Sequence, residues 1–198
     1  MKVFVDPASD ILYSSYYLYG FNEIDFEVKF SSKYFDLFQF NNQFTPIVIE
    51  KNNELYKVII DYGDGANIEE IAYNWCDKYY KINIKHNDLV RFNKLNSIGP
   101  SFGINIYKSY QLIFFAILNF FKARKRINNM KRFFSNYKAL FKRLPYSYYS
   151  VRKPKENYIF FIASIWRNEK ETNTFRLNFI KSCQSLKIVN FEGGFAPR

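Results

Sequence analysis

Residues 158–165 read YIFFIASI, 166–173 WRNEKETN, 175–183 FRLNFIKSC and 186–191 LKIVNF. The first run is almost wholly apolar and of strand length, the second is a polar loop. Phe175, Phe179 and Cys183 recur at helical spacing and fall on one face of an amphipathic helix. Leu186 to Phe191 forms another strand, and Glu192-Gly193-Gly194 turns the chain away from it. Strand, loop, helix and strand make a βαβ unit, which builds parallel sheets, so the expected class is α/β. A single unit cannot close its own core. Residues 158–198 therefore either extend an earlier sheet or open a second domain.

The segment before it, PYSYYSVRKPKEN (145–157), reads as a linker and favours the second choice. The expected division is 1–150 and 151–198. Working further back, a long helix is expected from Ser109 to about Leu144, with Leu112, Phe115 and Leu118, then Met130, Phe133, Phe134, Tyr137 and Phe141, at helical spacing. Asn128-Asn129 is the point where it can divide. Pro46–Glu50 and Leu55–Asp61 flank the polar turn Lys51-Asn52-Asn53-Glu54 as a hairpin would. Lys2–Val5 and Asp25–Phe30 are further strands. Ser9 or Asp10 caps a helix from Ile11 to Tyr19 that presents Leu12, Tyr16 and Tyr19 on one face, with Gly20 as its stop. Ile68–Asn74 is a short helix, Cys76–Ile84 becomes strand toward its end, and Ile98–Ile106 is a loop with a short strand.

The chain has 198 residues, is 48% hydrophobic and 21% aromatic, and holds only 7 Gly and 6 Pro, which excludes disordered and collagen-like classes. Its net charge of +11 is unevenly placed. Residues 1–88 carry 8 basic and 14 acidic side chains; residues 89–155 carry 15 basic and none acidic; residues 156–198 carry 6 and 4. An anionic partner is therefore expected at the middle segment. Cys76 and Cys183 lack metal or disulfide spacing and read as buried thiols, and the lone His86 cannot build a metal cluster. No secretory signal is expected at the N-terminus. The apolar run Tyr110–Phe121 falls short of the roughly 20 residues a spanning helix needs.

The block YIFFIASIW-RNEKETN-TFRLNFIKSC-QSLKIVNFEGGFAPR resembles the opening of the donor domain of bacterial surface-polysaccharide glycosyltransferases, enzymes with two facing Rossmann-like domains (the GT-B type). CDKYYKINI (76–84) and GPSFGINI (99–106) more loosely resemble part of their acceptor domain. The resemblance implies transfer of a sugar from a nucleotide-sugar donor to a glycan or lipid-linked acceptor. It implies no cofactor beyond the nucleotide-sugar substrate, no metal, and a cytoplasmic location, peripheral at the inner face of the membrane. The family's later donor segment, with a glutamate for the donor ribose, would lie past Arg198, so the chain is expected to stop inside its second domain.

Such chemistry needs a base for the acceptor hydroxyl and cations or amide dipoles for the departing diphosphate. In open α/β sheets both belong at the carboxyl ends of strands. The resemblance implies that Arg167 and Lys170, beside Ser164 and a helix N-terminus, meet the diphosphate. On residue grounds alone they are a solvated loop. Arg176 is either a third donor contact or a partner of Glu169 or Glu171, and Gly193-Gly194 either a donor-side loop or a plain turn. Asp64, next to Gly63 and Gly65, is the candidate base, although Asp-Gly also turns for backbone reasons alone. Asp61 lies beside it; Asp6 and Asp77 are weaker candidates. Lys122, Arg124, Lys125, Arg126, Lys131 and Arg132, interleaved with aromatics, suit an anionic membrane surface. A core helix with a charged outer face stands level with that reading, and nucleic acid stands behind both, because no nucleic-acid module matches.

Overall fold

The structure is a computed structural model, and it describes residues 1–150, 156–186 and 189–196. The chain divides into two compact units, Met1–Tyr148 and Tyr149–Arg198.

The first unit is built on a six-stranded mixed sheet of β1 (Lys2–Val5), β2 (Glu27–Phe30), β3 (Phe44–Lys51), β4 (Glu54–Asp61), β5 (Lys78–Lys81) and β6 (Leu95–Ser97), in the order β2-β1-β3-β4-β5-β6. The pairs β1/β2, β4/β5 and β5/β6 are parallel, and β3 runs antiparallel to both neighbours. Five strands thus share one direction, a Rossmann-like α/β arrangement. The β3–β4 hairpin forms where the turn chemistry allows it. Asn52 and Asn53 both take positive φ, 53° and 64°, as a two-residue turn matched to strand twist requires. Pro46 sits inside β3 without breaking the sheet. Val5, the last residue of β1, pairs with Ile47, so the missing N–H of Pro46 falls past the end of β1.

Helices cover both faces. On one, Val3, Val5, Ile47, Val58 and Ile60 pack under α1 (Ile11–Glu23), α4 (Ser109–Ala123) and α5 (Met130–Phe141). On the other, Val48, Ile59, Tyr79 and Leu95 pack with Phe35, Phe38 and Ala72 of α2 (Glu70–Trp75). Asp10 caps α1, its Oδ1 accepting the Leu12 N–H at 2.9 Å. The helix runs past Gly20 to Glu23 and buries Ile11, Ser14, Ser15 and Leu18 rather than the expected Leu12, Tyr16 and Tyr19. Those serines hide easily: Ser14 Oγ donates to the Asp10 carbonyl and Ser15 Oγ to that of Leu12, both at 2.8 Å. A helix α3 (His86–Arg91) and strand β6 occupy ground where no element was expected, and Ile98–Ile106 holds no strand.

The expected long helix is two helices, broken over 124–129. The cause is Arg126. Its guanidinium turns inward, Nη2 lying 2.6 Å from Asp6 Oδ1 and Nη1 2.8 Å from Asp6 Oδ2. Nη1 also donates to the carbonyls of Phe35 and Phe38, each at 2.9 Å. Arg126 is therefore an internal brace and cannot belong to a membrane-binding set. Burial pushes the Asp6 carboxyl above its ordinary value, against the pull of the Arg126 guanidinium.

The second unit holds β7 (Tyr158–Ala163), α7 (Lys170–Ser185) and β8 (Asn190–Phe195), with β7 and β8 parallel. Helix α6 (Tyr146–Ser150) stands at the boundary, where linker was expected; residues 151–155 of that linker lie outside the described residues. Helix α7 begins five residues before the expected Phe175, so Lys170 is its first residue and not part of a loop. Gly193 and Gly194 lie inside β8 and do not turn the chain away. At Gly193, φ is +132° and a Cβ would stand 1.9 Å from the Phe161 carbonyl oxygen, so only glycine lets the two strands approach as they do.

Removing the brace should be costly. Arg126→Met leaves the Asp6 carboxylate buried and unpaired, with an expected loss of about 3–5 kcal/mol of stability in urea unfolding. Arg124→Met, at an exposed neighbour, should change it by less than about 0.5 kcal/mol.

Candidate functional site

The carboxyl edge of the parallel strands holds several buried polar groups of the first unit. Asp6 follows β1, Asp61 ends β4, Lys81 ends β5, and Thr45 opens the antiparallel β3 at the same edge. This is also where the winding of the sheet reverses: β1 leads to β2 on one side, while β4 leads to β5 and β6 on the other. Open α/β sheets bind their ligands at such a reversal, outside the carboxyl ends.

Asp61 organises this edge. Its Oδ2 accepts from Tyr79 Oη at 2.6 Å and from Lys81 Nζ at 2.8 Å, and its Oδ1 accepts the Gly63 N–H at 2.9 Å. All three partners follow from local geometry. Tyr79 and Lys81 are two apart on β5, hence on one face, and β5 lies beside β4 in parallel register. Burial, then the Asp61 carboxylate, pushes the Tyr79 phenol far above its ordinary value, so it stays protonated as a donor. Lys81 is only 1% exposed. A lysine ammonium has three N–H donors. Among the described residues, that of Lys81 has one acceptor, Asp61.

Lys81 borders a cavity of about 380 Å³ lined also by Tyr13, Asn42, Gln43, Tyr62, Gly63, Asp64, Gly65 and Asn67. The Tyr62 ring is buried and its hydroxyl lies 3.1 Å from Thr45 Oγ1, while Tyr13 stacks on it at 5.6 Å and keeps an open face. Asp64 is exposed on the loop after β4, and Asn83 Nδ2 holds its carbonyl at 3.0 Å. The cavity thus offers a carboxylate, three carboxamides, an aromatic face and an ammonium with two donors that no acceptor among the described residues takes. Such a set is chemically suited to hydroxyl groups, since carboxylates and amides direct hydrogen bonds and a ring can cover an apolar side of a ligand.

The structure brings Asp64 into a cavity and leaves Asp61 unable to act as a free base. Asp6 is likewise held by Arg126, and Ala8 donates its N–H to Asp6 Oδ1 at 2.9 Å. Asp77 accepts the Lys57 N–H at 2.7 Å in a backbone role. Sequence reading missed Lys81, Tyr13 and the amides Asn42, Gln43 and Asn67. The one signal for Lys81 was a cation alternating with a tyrosine in the short strand KYYK. Cys76 and Cys183 are both buried, and burial pushes the Cys76 thiol to about 11, which keeps it inert near neutrality.

In the second unit, Ser164, Arg167 and Lys170 gather at the carboxyl end of β7, all exposed. Arg176 pairs with neither Glu169 nor Glu171. Its Nη1 donates to the Ser164 carbonyl at 2.8 Å and its guanidinium covers the Trp166 ring at 4.5 Å, while Asn173 bridges Trp166 N–H and carbonyl. The turn from β7 into α7 is therefore a pinned structure with two cations on its outer side. A cavity of about 610 Å³ in this unit lies at the opposite end, beside Tyr158, Asn190 and Glu192, so it does not take in Arg167 or Lys170.

Among the described residues, no group of three or more His, Cys, Asp or Glu is placed to hold a metal ion, and no helix is long and apolar enough to cross a membrane. No protein-family model, curated protein or solved structure matches this chain.

The Asp61 cluster makes a prediction of its own. Tyr79→Phe removes one hydrogen bond to a buried charged group, with an expected loss of about 1.5–3 kcal/mol in chemical unfolding. A loss below about 0.5 kcal/mol would mean that Tyr79 does not support the carboxylate.

Proposed function

We propose that the chain takes part in glycosyl transfer, its first unit holding the hydroxyl-bearing acceptor and its second unit the diphosphate end of a nucleotide-sugar donor. One observation carries this reading: at the carboxyl edge of a Rossmann-like sheet, a cavity is lined by a carboxylate, carboxamides, an ammonium and a tyrosine face. Those groups bind sugars and polyols. Asp64 is the group that takes the acceptor proton, since it is the carboxylate of the cavity not already bound in an ion pair. Lys81 orients the acceptor through its two remaining donors, and its positive charge favours the alkoxide that forms as the proton leaves.

The second unit supports the donor half in part. Arg167 and Lys170 stand where β7 ends and α7 begins, with the helix N-terminus adding its own partial positive charge for a phosphate. The pinned Arg176–Trp166 turn holds that region in place. The acceptor, a glycan or a lipid-linked glycan, rests on the same resemblance that suggested the reaction. A second reading, a basic α/β module that binds without catalysing, keeps the cavity and dispenses with Asp64 as a base.

The two readings separate in one assay. The full chain is incubated with nucleotide-sugars and extracted lipid-linked or free glycans, and released nucleoside diphosphate is measured. Asp64→Asn is expected to lower release by about 10²–10⁴-fold while calorimetric binding of the acceptor stays within threefold or so, the usual range for loss of a general base. Acceptor binding with no diphosphate release from any donor would favour the binding module. Neither binding nor release would end the glycosyl-transfer reading.

A further inference from the structure

Helix α4 carries large apolar side chains toward solvent as well as toward the core. Leu112, Ala116, Asn119 and Ala123 face the core. Tyr110, Ile113, Phe114, Ile117 and Phe121 are 50–66% exposed. At about 100° per residue these five fall within an arc of about 100°, turned away from the buried face. A soluble surface helix carries charged or polar residues there. Five large apolar side chains in one unbroken stripe are well beyond the singly scattered kind and mark a surface that is covered in use.

The surroundings of the stripe are cationic. Exposed Arg124 and Lys125 follow its C-terminal end, within a turn of Phe121. On α5, exposed Lys131, Lys138 and Lys142 form a row at spacings of seven and four. Lys138 and Phe141 share an apolar groove of about 340 Å³ with Ile113 and Ile117, so this row borders the stripe directly. No acidic residue occurs between residues 89 and 155.

We propose that the α4 stripe, rimmed by Arg124, Lys125, Lys131, Lys138 and Lys142, seats the protein on an anionic lipid bilayer. The apolar side chains enter below the headgroups and the cations stay at headgroup level, the arrangement of an interfacial helix. This assignment differs from the basic patch read in the sequence: Arg126 is spent on Asp6, Lys122 Nζ donates to the Phe30 carbonyl at 2.8 Å, and the insertion falls to residues without charge. Charge decides against the other occupants. A second copy meeting the stripe would set the same five rim cations, Arg124, Lys125, Lys131, Lys138 and Lys142, against their copies with no acidic residue of the 89–155 segment to offset them. A nucleic acid would meet an apolar centre with no cation in it.

The test uses the full chain with no nucleotide or sugar present, so its failure leaves the glycosyl-transfer reading standing, and the reverse also holds. Flotation with vesicles of phosphatidylglycerol and phosphatidylcholine is compared with phosphatidylcholine alone. At least tenfold stronger partitioning to the anionic vesicles is expected. The variant I113S/F114S/I117S should lose partitioning by tenfold or more with an unchanged thermal midpoint, because its three positions are exposed. Lys138→Glu with Lys142→Glu should weaken it by several fold, and added salt should do the same. Equal partitioning to both vesicle types, or undiminished binding by the serine variant, overturns the proposal. So does a dimer seen by light scattering that the serine variant splits, since the stripe would then be an interface between copies.

Discussion

The carboxyl edge of the first unit depends on a buried ion pair between residues 120 apart in sequence. Arg126 grips both oxygens of Asp6 through Nη1 and Nη2 and, through Nη1, also donates to two carbonyls of the 31–43 loop. The backbone carbonyl of Arg126 then takes the Phe40 N–H at 2.9 Å. A single residue thereby joins the end of the first strand, the loop that leads to Asn42 and Gln43, and the break between α4 and α5. Taking both charges out of water is expensive, and the cost is offset only because every oxygen and most donors are engaged. The pair therefore specifies one arrangement of these segments more than it adds net stability.

From that brace follows the shape of the cavity. Asn42 and Gln43 form one wall because the loop before them is held by Arg126. A further part of the lining is held by Asp61, which orders Gly63 through its backbone and fixes Lys81 and Tyr79 on the neighbouring strand. Two carboxylates are thus consumed as structure, and Asp64, three residues past Asp61, is the one carried out into the cavity. The acidic first part of the chain and the basic middle part divide the work accordingly. Carboxylates build the sheet edge that carries the cavity, and cations border the apolar face of α4.

Local patterns in the sequence carried much of this architecture. The hairpin was legible because alternating apolar residues flank an Asn-Asn turn, and the βαβ unit because its apolar strand, polar loop and amphipathic helix follow in order. The break in the middle helix was legible only as two asparagines. Its cause was not, because a buried arginine looks like any other in a run such as KARKR until its carboxylate, far away in sequence, is placed beside it. Lys81 was missed for the same reason: its burial depends on Asp61 in the adjacent strand. Strand β5 was legible within Cys76–Ile84, although it lies at Lys78–Lys81 and not toward the end of that stretch, whereas the three residues of β6 show no period. The serine face of α1 defeated a hydrophobicity argument, since those hydroxyls hide by bonding to their own helix. Gly193-Gly194 read as a turn, whereas close approach of the Phe161 carbonyl is what demands a glycine at 193.

In the proposed function, hydroxyl-bearing ligands occupy the cavity lined by residues 42–43, 62–67 and Lys81. Hydrogen exchange read by mass spectrometry, with and without high concentrations of simple hexoses and disaccharides, addresses this most directly. Slower exchange confined to peptides covering 42–43 and 62–67, and absent from the Lys81→Met variant, is the expected result. Protection that falls elsewhere, or that survives unchanged in Lys81→Met, would contradict it.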